Sequence, residues 1–353
     1  MPIKPGLFGI NKSNRNFTDK ENWGKNKFNS SFPVSLTSYL HSKGLENIYL
    51  ELNKDLKVVH NVLSAESLFG INPDSENLFF AFESPYTQYE QLLIGNIPRD
   101  DVVTHNIKSK SCLKALEIKL TALPDNSTCE LKEDEYGCEL VIRPDTIVYL
   151  ACSIAMLYNN EKEKLRDTFG DKFEQIADWT EPASVLSYLP IMAEKLDEIF
   201  LEKMQFQEPL VLQPVWKTLG KSPQLADNCL DVFVWSNFAF TRLFIDAAKK
   251  LNNKINRQSR SLVWLFKMLY DFGKRGQMNH SQIIDELSFN TKNDKAFSVN
   301  GKVTYPYMKC DFLTEPRIQK TEIKKIILGG GQNLLSPERR FDAMIYNSPT
   351  LFD

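Results

Sequence analysis

Apolar residues alternate with polar ones over short stretches in the first 150 residues and recur every three or four residues beyond them. Alternation predicts strands, and the longer spacing predicts amphipathic helices. Strands are expected at 48–52, 101–105, 113–123 and 139–142. A short helix is expected at 33–42, and another at 85–94, where Ser84 would cap ahead of Pro85. Pro144 and Asp145 open a long apolar helix that runs to about residue 158. Helical spacing continues through 162–177, 182–204, 231–252 and 259–272. From residue 297 short strand-like runs return, together with Gly329-Gly330-Gly331. The first 33 residues show little apolar periodicity, but Phe8, Phe17, Trp23, Phe28 and Phe32 punctuate them, as in an arm that packs on something.

The pattern predicts an α+β protein with a strand-rich core and a largely helical second half. Its expected parts are a polar arm (1–35), a core (36–160), a helical region (161–296) and a C-terminal segment that packs on the core (297–353).

Composition narrows the class only slightly. The apolar fraction of 42% and charged fraction of 25% suit a soluble globular chain. Six cysteines include no CxxC pair and no histidine at zinc-finger spacing, so reduced thiols are expected. The apolar run at 146–158 is too short to span a bilayer, and no signal peptide is visible. A prokaryotic cytoplasmic protein is the expectation.

The net charge of −2 argues against a generic polyanion binder, but it hides an uneven distribution. In the arm, Lys4, Lys12, Arg15, Lys20, Lys25 and Lys27 face only Asp19 and Glu21. Between 249 and 276, Lys249, Lys250, Lys254, Arg257, Arg260, Lys267, Lys274 and Arg275 face only Asp271. A third basic region lies at 317–340. Three basic regions on a neutral body suit a nucleic-acid groove, although solvated helix faces would read the same way.

Candidate chemistry lies in Arg99-Asp100-Asp101-Val102-Val103 and Leu116-Glu117-Ile118-Lys119-Leu120. In a strand, Leu116, Ile118 and Leu120 share one face, and Glu117 and Lys119 share the other. Asp101 opens the preceding strand and can reach Glu117 at a sheet edge. Two converging carboxylates make a hard-oxygen site suited to Mg²⁺. Lys119 could position or deprotonate a metal-activated water, or stabilise developing charge. Asp100 is the alternative first acid, and Glu83 or Glu90 could add a ligand. Glu130-Leu131-Lys132 and Glu322-Ile323-Lys324 repeat the Glu-x-Lys spacing, the latter with Asp311 upstream. A solvated strand face with an ion pair is the plainer reading of Glu117 and Lys119. His105, close by in sequence, reads as incidental, though it could contact phosphate.

The Asp…Glu-x-Lys arrangement resembles the PD-(D/E)xK nuclease core. The stretches PGLFGINKSNRNF, WGKNKFNSSFP, RDDVV, ALEIKLTALPD and CELVIRPDTIVYLA are similar to the HindVP/HgiDI family of type II restriction endonucleases. The resemblance is clearest over residues 5–155. It implies Mg²⁺-dependent cleavage of double-stranded DNA at a short palindrome, associated in the family with GRCGYC. The family motif would fall on Asp101, Glu117 and Lys119, with Asp101 and Glu117 as metal ligands. This chain has Arg-Asp-Asp where a literal Pro-Asp would stand, which leaves the first acid open. A palindromic site implies a homodimer, and the family implies a cognate DNA methyltransferase. Candidate DNA contacts are Asn14, Arg15, Lys25 and Asn26 in the arm, and Arg257 and Arg260 in the second basic region, with Asn256 and Gln258 beside them. A repair-type nuclease on the same core and a non-catalytic DNA-binding or scaffold protein are the rival readings.

Overall fold

The computed structural model describes residues 12–14, 25–118 except 54, 56 and 57, 139–203, 210–214, 216–219, 222–225, 232–236, 241, 245, 254–291 and 297–300. In chain order its elements are α1 (Lys25–Ser42), β1 (Asn47–Leu52), β2 (Val58–Leu63), α2 (Ala65–Phe69), β3 (Leu78–Pro85), a 3-10 turn (Thr87–Leu92), β4 (Arg99–Asn106) and β5 (Ser111–Ile118). Then follow β6 (Glu139–Ile142), α3 (Pro144–Leu157), α4 (Lys162–Phe169), a second 3-10 turn (Asp171–Gln175), α5 (Pro182–Leu186), α6 (Leu189–Glu202), β7 (Leu210–Pro214), β8 (Trp216–Leu219), β9 (Ser222–Leu225), β10 (Val232–Trp235), α7 (Arg257–Arg275), α8 (His280–Glu286) and β11 (Phe297–Asn300).

Seven strands form one mixed sheet in the order β2-β1-β10-β7-β5-β4-β3. The β1–β10 and β5–β7 pairs are parallel, and the others are antiparallel. One face carries Leu50, Ala81, Val103, Ala115 and Trp235, which pack with α3, α4, α6 and α7 into the main core. Phe82, Val102 and Leu116 are buried on the opposite face, where α1 and α2 meet the sheet. Helix α3 is buried at every position from Thr146 to Ala155 because it lies between the sheet and α7. An all-round apolar sequence is what such a position requires. The chain is thus α+β, as its pattern predicts.

Several expected elements are corrected. Residues 231–252, expected to be helical, contribute β10, which sits between β1 and β7. The run Val232-Phe233-Val234-Trp235 is β-branched and aromatic, and a strand buried in mid-sheet shows no helix-excluding alternation. Strands β7 and β10 therefore bring the region expected to be helical into the central sheet. The helix expected at 85–94 is only the 3-10 turn, because Ser84 and Pro85 are held in the β3–β4 ladder. Its N-cap is Tyr86, with no side-chain cap. The helix expected to start at Pro33 begins at Lys25 and runs through that proline, so Lys25 and Asn26 belong to α1 and not to a loop. The helices expected at 162–177 and 182–204 each divide in two.

No helix among the described residues is long and apolar enough to cross a membrane. Cys112 and Cys152 are free thiols.

Candidate active site

The β4–β5 hairpin carries the proposed acids at its open end. Val102 pairs with Leu116, and Val103 with Ala115. Glu117 therefore lies one pair beyond Val102, level with the start of β4. It shares the face of Ala115, which packs under α3. Only 7% of Glu117 is exposed, and its Oε1 accepts a hydrogen bond from Thr146 Oγ1 at 3.2 Å. Thr146 stands in the first turn of α3, which Pro144 opens with its fixed φ and no unsatisfied N–H.

At this end the regular ladder stops. Ile118 N–H donates to Asp101 Oδ2 at 2.7 Å, so a side chain takes the donor that a neighbouring backbone carbonyl would otherwise receive. On the other side of β4, pairing passes over Asp101 as well: Phe82 meets Val102 and Ser84 meets Asp100. The residue skipped opposite it, Glu83, has φ of 49°, a left-handed backbone that non-glycine residues seldom adopt. The strand start is therefore locally rebuilt around two consecutive aspartates.

Asp100 has no exposed surface, and neither of its carboxylate oxygens has a hydrogen-bond partner among the described residues. Burial first, then the charges of Glu117, Asp101 and Asp145, push its pKa well above the usual carboxylate range. Strict alternation would put Asp100 on the far face with Val102. Its charge instead acts on Tyr149 and Cys152 of α3, whose pKa values burial has already raised. The charges of Asp100 and Glu117 thus both act on Tyr149. Asp145 is exposed at the start of α3, on the rim of this acidic group.

The donor set fits a hard divalent cation. Mg²⁺ takes one or two protein carboxylates and completes its shell with water and substrate phosphate. Among the described residues no group of three potential ligands converges. A buried acid without a partner beside a second carboxylate is an arrangement that a cation compensates.

The remaining candidates divide sharply. Lys119, Arg15, Glu130, Lys132, Asp311, Glu322 and Lys324 lie outside the described residues. So do the third basic region and the side chains of Lys25 and Asn26. Glu90 is exposed on the first 3-10 turn. His105 sits toward the hairpin turn, roughly 13 Å along β4 from Asp101 at ordinary strand rise. There it packs edge-on to Phe79, and burial lowers its pKa.

Asn14 runs beside the edge strand β3. Its amide donates to Phe82 O at 3.0 Å and accepts from Phe82 N at 2.9 Å, so this side chain ties the arm to the sheet. Arg260 is a correction: it is wholly buried, and its guanidinium lies 4.3 Å from the Trp264 ring centroid. It donates to Thr291 O and Oγ1 at 3.1 and 2.6 Å, out of reach of any phosphate. Asn256 caps α7 by accepting from Gln258 N and Ser259 N, and Ser259 Oγ returns a bond to Asn256 N–H, a reciprocal box legible in the Asn-x-x-Ser spacing. Arg257 is half-buried at the first position of α7.

The second basic region is not a continuous cationic face. Lys267 pairs with Asp271 at 2.6 Å, Lys274 with Glu174 at 2.5 Å, and Arg275 reaches Asp271 at 3.9 Å.

The pattern of the family described as HindVP restriction endonuclease matches residues 23–352. The chain is 47% identical over 351 residues to "Type II restriction enzyme HgiDI" of Herpetosiphon aurantiacus, covering 99% of this chain and 98% of that protein. It is also 47% identical over 355 residues to "Probable type II restriction enzyme HindVP" of Haemophilus influenzae, covering 100% of this chain and 96% of that protein. No solved structure matches the chain.

Proposed function

The chain belongs to the HindVP restriction endonuclease family and is accordingly a type II restriction enzyme, and we propose that it cuts double-stranded DNA within a short palindrome by Mg²⁺-dependent phosphodiester hydrolysis on a PD-(D/E)xK core. The observation that carries the chemical part is the buried carboxylate of Glu117, bonded to Thr146 of α3, with the charges of the two aspartates that open β4 acting near it. The family association with GRCGYC makes that sequence the first site to test.

The bound Mg²⁺ would activate water and neutralise charge on the scissile phosphate. Glu117 would hold the ion from β5, with one oxygen fixed by Thr146 so that the carboxylate does not swing. The aspartate of β4 would hold it from the neighbouring strand. Asp101 also fixes the end of β5 through Ile118 N–H. Lys119, two residues after Glu117, is the cation that orients the attacking water or meets the developing negative charge. The low exposure of Glu117 strengthens its interaction with a cation relative to a solvated surface.

A palindromic target read by two identical chains requires a two-fold homodimer with one site per strand. Phosphate contacts fall to basic residues that the core does not consume, with Arg257 and the arm as candidates. A cognate methyltransferase protects the host site, and both enzymes act in a prokaryotic cytoplasm.

The test is incubation of the purified protein with mixed-sequence plasmid, in Mg²⁺ or in EDTA, followed by sequencing of the fragment ends. Discrete fragments formed only with Mg²⁺, all ending at one palindrome and lost in Glu117→Gln, are expected. Cutting in EDTA, or ends without a common sequence, would overturn the reading.

A further inference from the structure

The two aspartates that open β4 are chemically equivalent in the sequence but not in the fold. Asp101 already holds a structural bond: its Oδ2 accepts Ile118 N–H at 2.7 Å, where the β4–β5 ladder has stopped. Asp100, one residue earlier, has no exposed surface and no partner for either oxygen among the described residues. Its strongest charged neighbour is Glu117, ahead of Asp101. The phenol of Tyr149, on α3 above the site, responds most to the charge of Asp100 and least to that of Asp101.

We propose that Asp100, rather than Asp101, is the acid that shares the divalent cation with Glu117, and that Asp101 is a positioning residue that fixes the end of β5. The proposal rests on the nuclease reading above and deepens it by dividing the work between neighbouring side chains.

Three observations converge on this division. A carboxylate removed from water without hydrogen bonds needs a compensating charge, and Asp100 meets that description. The backbone beside it is also unusual. Glu83, opposite Asp101 and skipped by the ladder, holds a left-handed φ, and such strain persists only where surrounding structure over-determines it. Asp101, in turn, does work that its charge is not needed for. It replaces a missing backbone acceptor, and an uncharged amide oxygen would serve equally.

The last point sets the experiment. Asp100→Asn, Asp101→Asn, Asp101→Ala and Glu117→Gln are each titrated with Mn²⁺, followed by the resonance of the free ion, with and without duplex DNA. Thermal unfolding is recorded for each in the absence of metal. Asp100→Asn and Glu117→Gln are expected to lose Mn²⁺ binding. Without metal, Asp100→Asn should melt at or above the parent temperature, because an uncompensated buried acid has gone. Asp101→Asn should keep Mn²⁺ binding, since its amide oxygen still accepts Ile118 N–H. Asp101→Ala should weaken binding by roughly tenfold, the cost typical of losing a support behind a metal ligand. Loss of Mn²⁺ binding in Asp101→Asn would overturn the proposal, and that arm decides even if Asp100→Asn fails to fold. Retained binding in Asp100→Asn with loss in Glu117→Gln would overturn it too, while leaving the nuclease reading intact. Retained binding in every variant, Glu117→Gln included, would instead remove the metal site itself.

Discussion

Asp100 on β4 and Arg260 on α7 are both ionisable side chains with no exposed surface, yet their surroundings differ completely. Arg260 is answered by the protein. Its guanidinium lies over the Trp264 ring, and Thr291 accepts from it through both a carbonyl and a hydroxyl. Trp264 is itself fixed by its Nε1–H bond to Leu287 O at 2.8 Å. Asp100 is answered by nothing among the described residues except other acids. A buried cation that the protein itself answers belongs to the core, and a buried acid met only by other acids belongs to a ligand. The comparison separates structural from chemical residues better than charge counts do, because it asks where compensation comes from.

The comparison breaks most visibly if Arg260 is removed. Arg260→Met keeps much of the side-chain volume but takes the donor from the part-buried Thr291 carbonyl and hydroxyl and removes the cation from the indole. We expect a loss of about 3 kcal/mol in unfolding free energy, measured by chemical denaturation. DNA affinity of the folded fraction should not change, and neither should its salt dependence, because no phosphate contact has been lost. A shallower salt slope with unchanged stability would return Arg260 to the DNA surface.

A smaller effect sharpens the other side of the comparison. Thr146 is as buried as Arg260, but its hydroxyl serves Glu117. Thr146→Val removes the donor at nearly constant shape. It should cost about 1 kcal/mol of stability and about tenfold in cleavage rate. The rate loss should shrink as Mg²⁺ is raised, because a loosened Glu117 binds the ion less tightly. Thr146→Ser should restore it. A rate loss that is independent of Mg²⁺ would make Thr146 a packing residue only.

These distinctions lay unevenly within reach of the sequence. Alternation around Glu117 revealed β5 and its polar face, since Leu116 and Ile118 are apolar neighbours of a lone acid. The valines after Asp101 revealed β4 in the same way. The unequal roles of Asp100 and Asp101 were not legible. They depend on where the β4–β5 ladder ends, on the backbone of Glu83, and on α3 lying across the hairpin, all of which are long-range facts. Thr146 was visible only as part of a helix start. The second basic region misled for a related reason. Glu174, which neutralises Lys274, is 100 residues away in the chain, and Arg260 turns inward from a helix whose charges looked exposed. Strand β10 was missed because a short run buried within a sheet carries no period-two signal.

His280 offers the mildest test, a buried titratable group that is neither compensated like Arg260 nor placed at the acids like Asp100. It opens α8 with only 6% exposure, and its Nδ1 has no partner among the described residues. Burial lowers its pKa below the usual 6.5. The unfolded chain therefore takes up a proton at this residue as the pH falls through about 6.5, while the folded chain still excludes it. The sign follows from that inequality: acid stabilises the unfolded state, so stability is full above pH 6.5 and declines below it until the folded imidazole also titrates. The slope from this one group is at most about 1.4 kcal/mol per pH unit. Unfolding free energies measured between pH 7.5 and pH 5.5, choices set by the ordinary histidine range of roughly 6.5, should fall in the parent protein and fall less in His280→Gln. The same difference should persist in Asp100→Asn, because Asp100 does not figure among the causes of the His280 shift. Equal slopes in parent and His280→Gln would mean that the imidazole finds a partner or water when charged, and that an incomplete set of partners marks a ligand site only where acids converge.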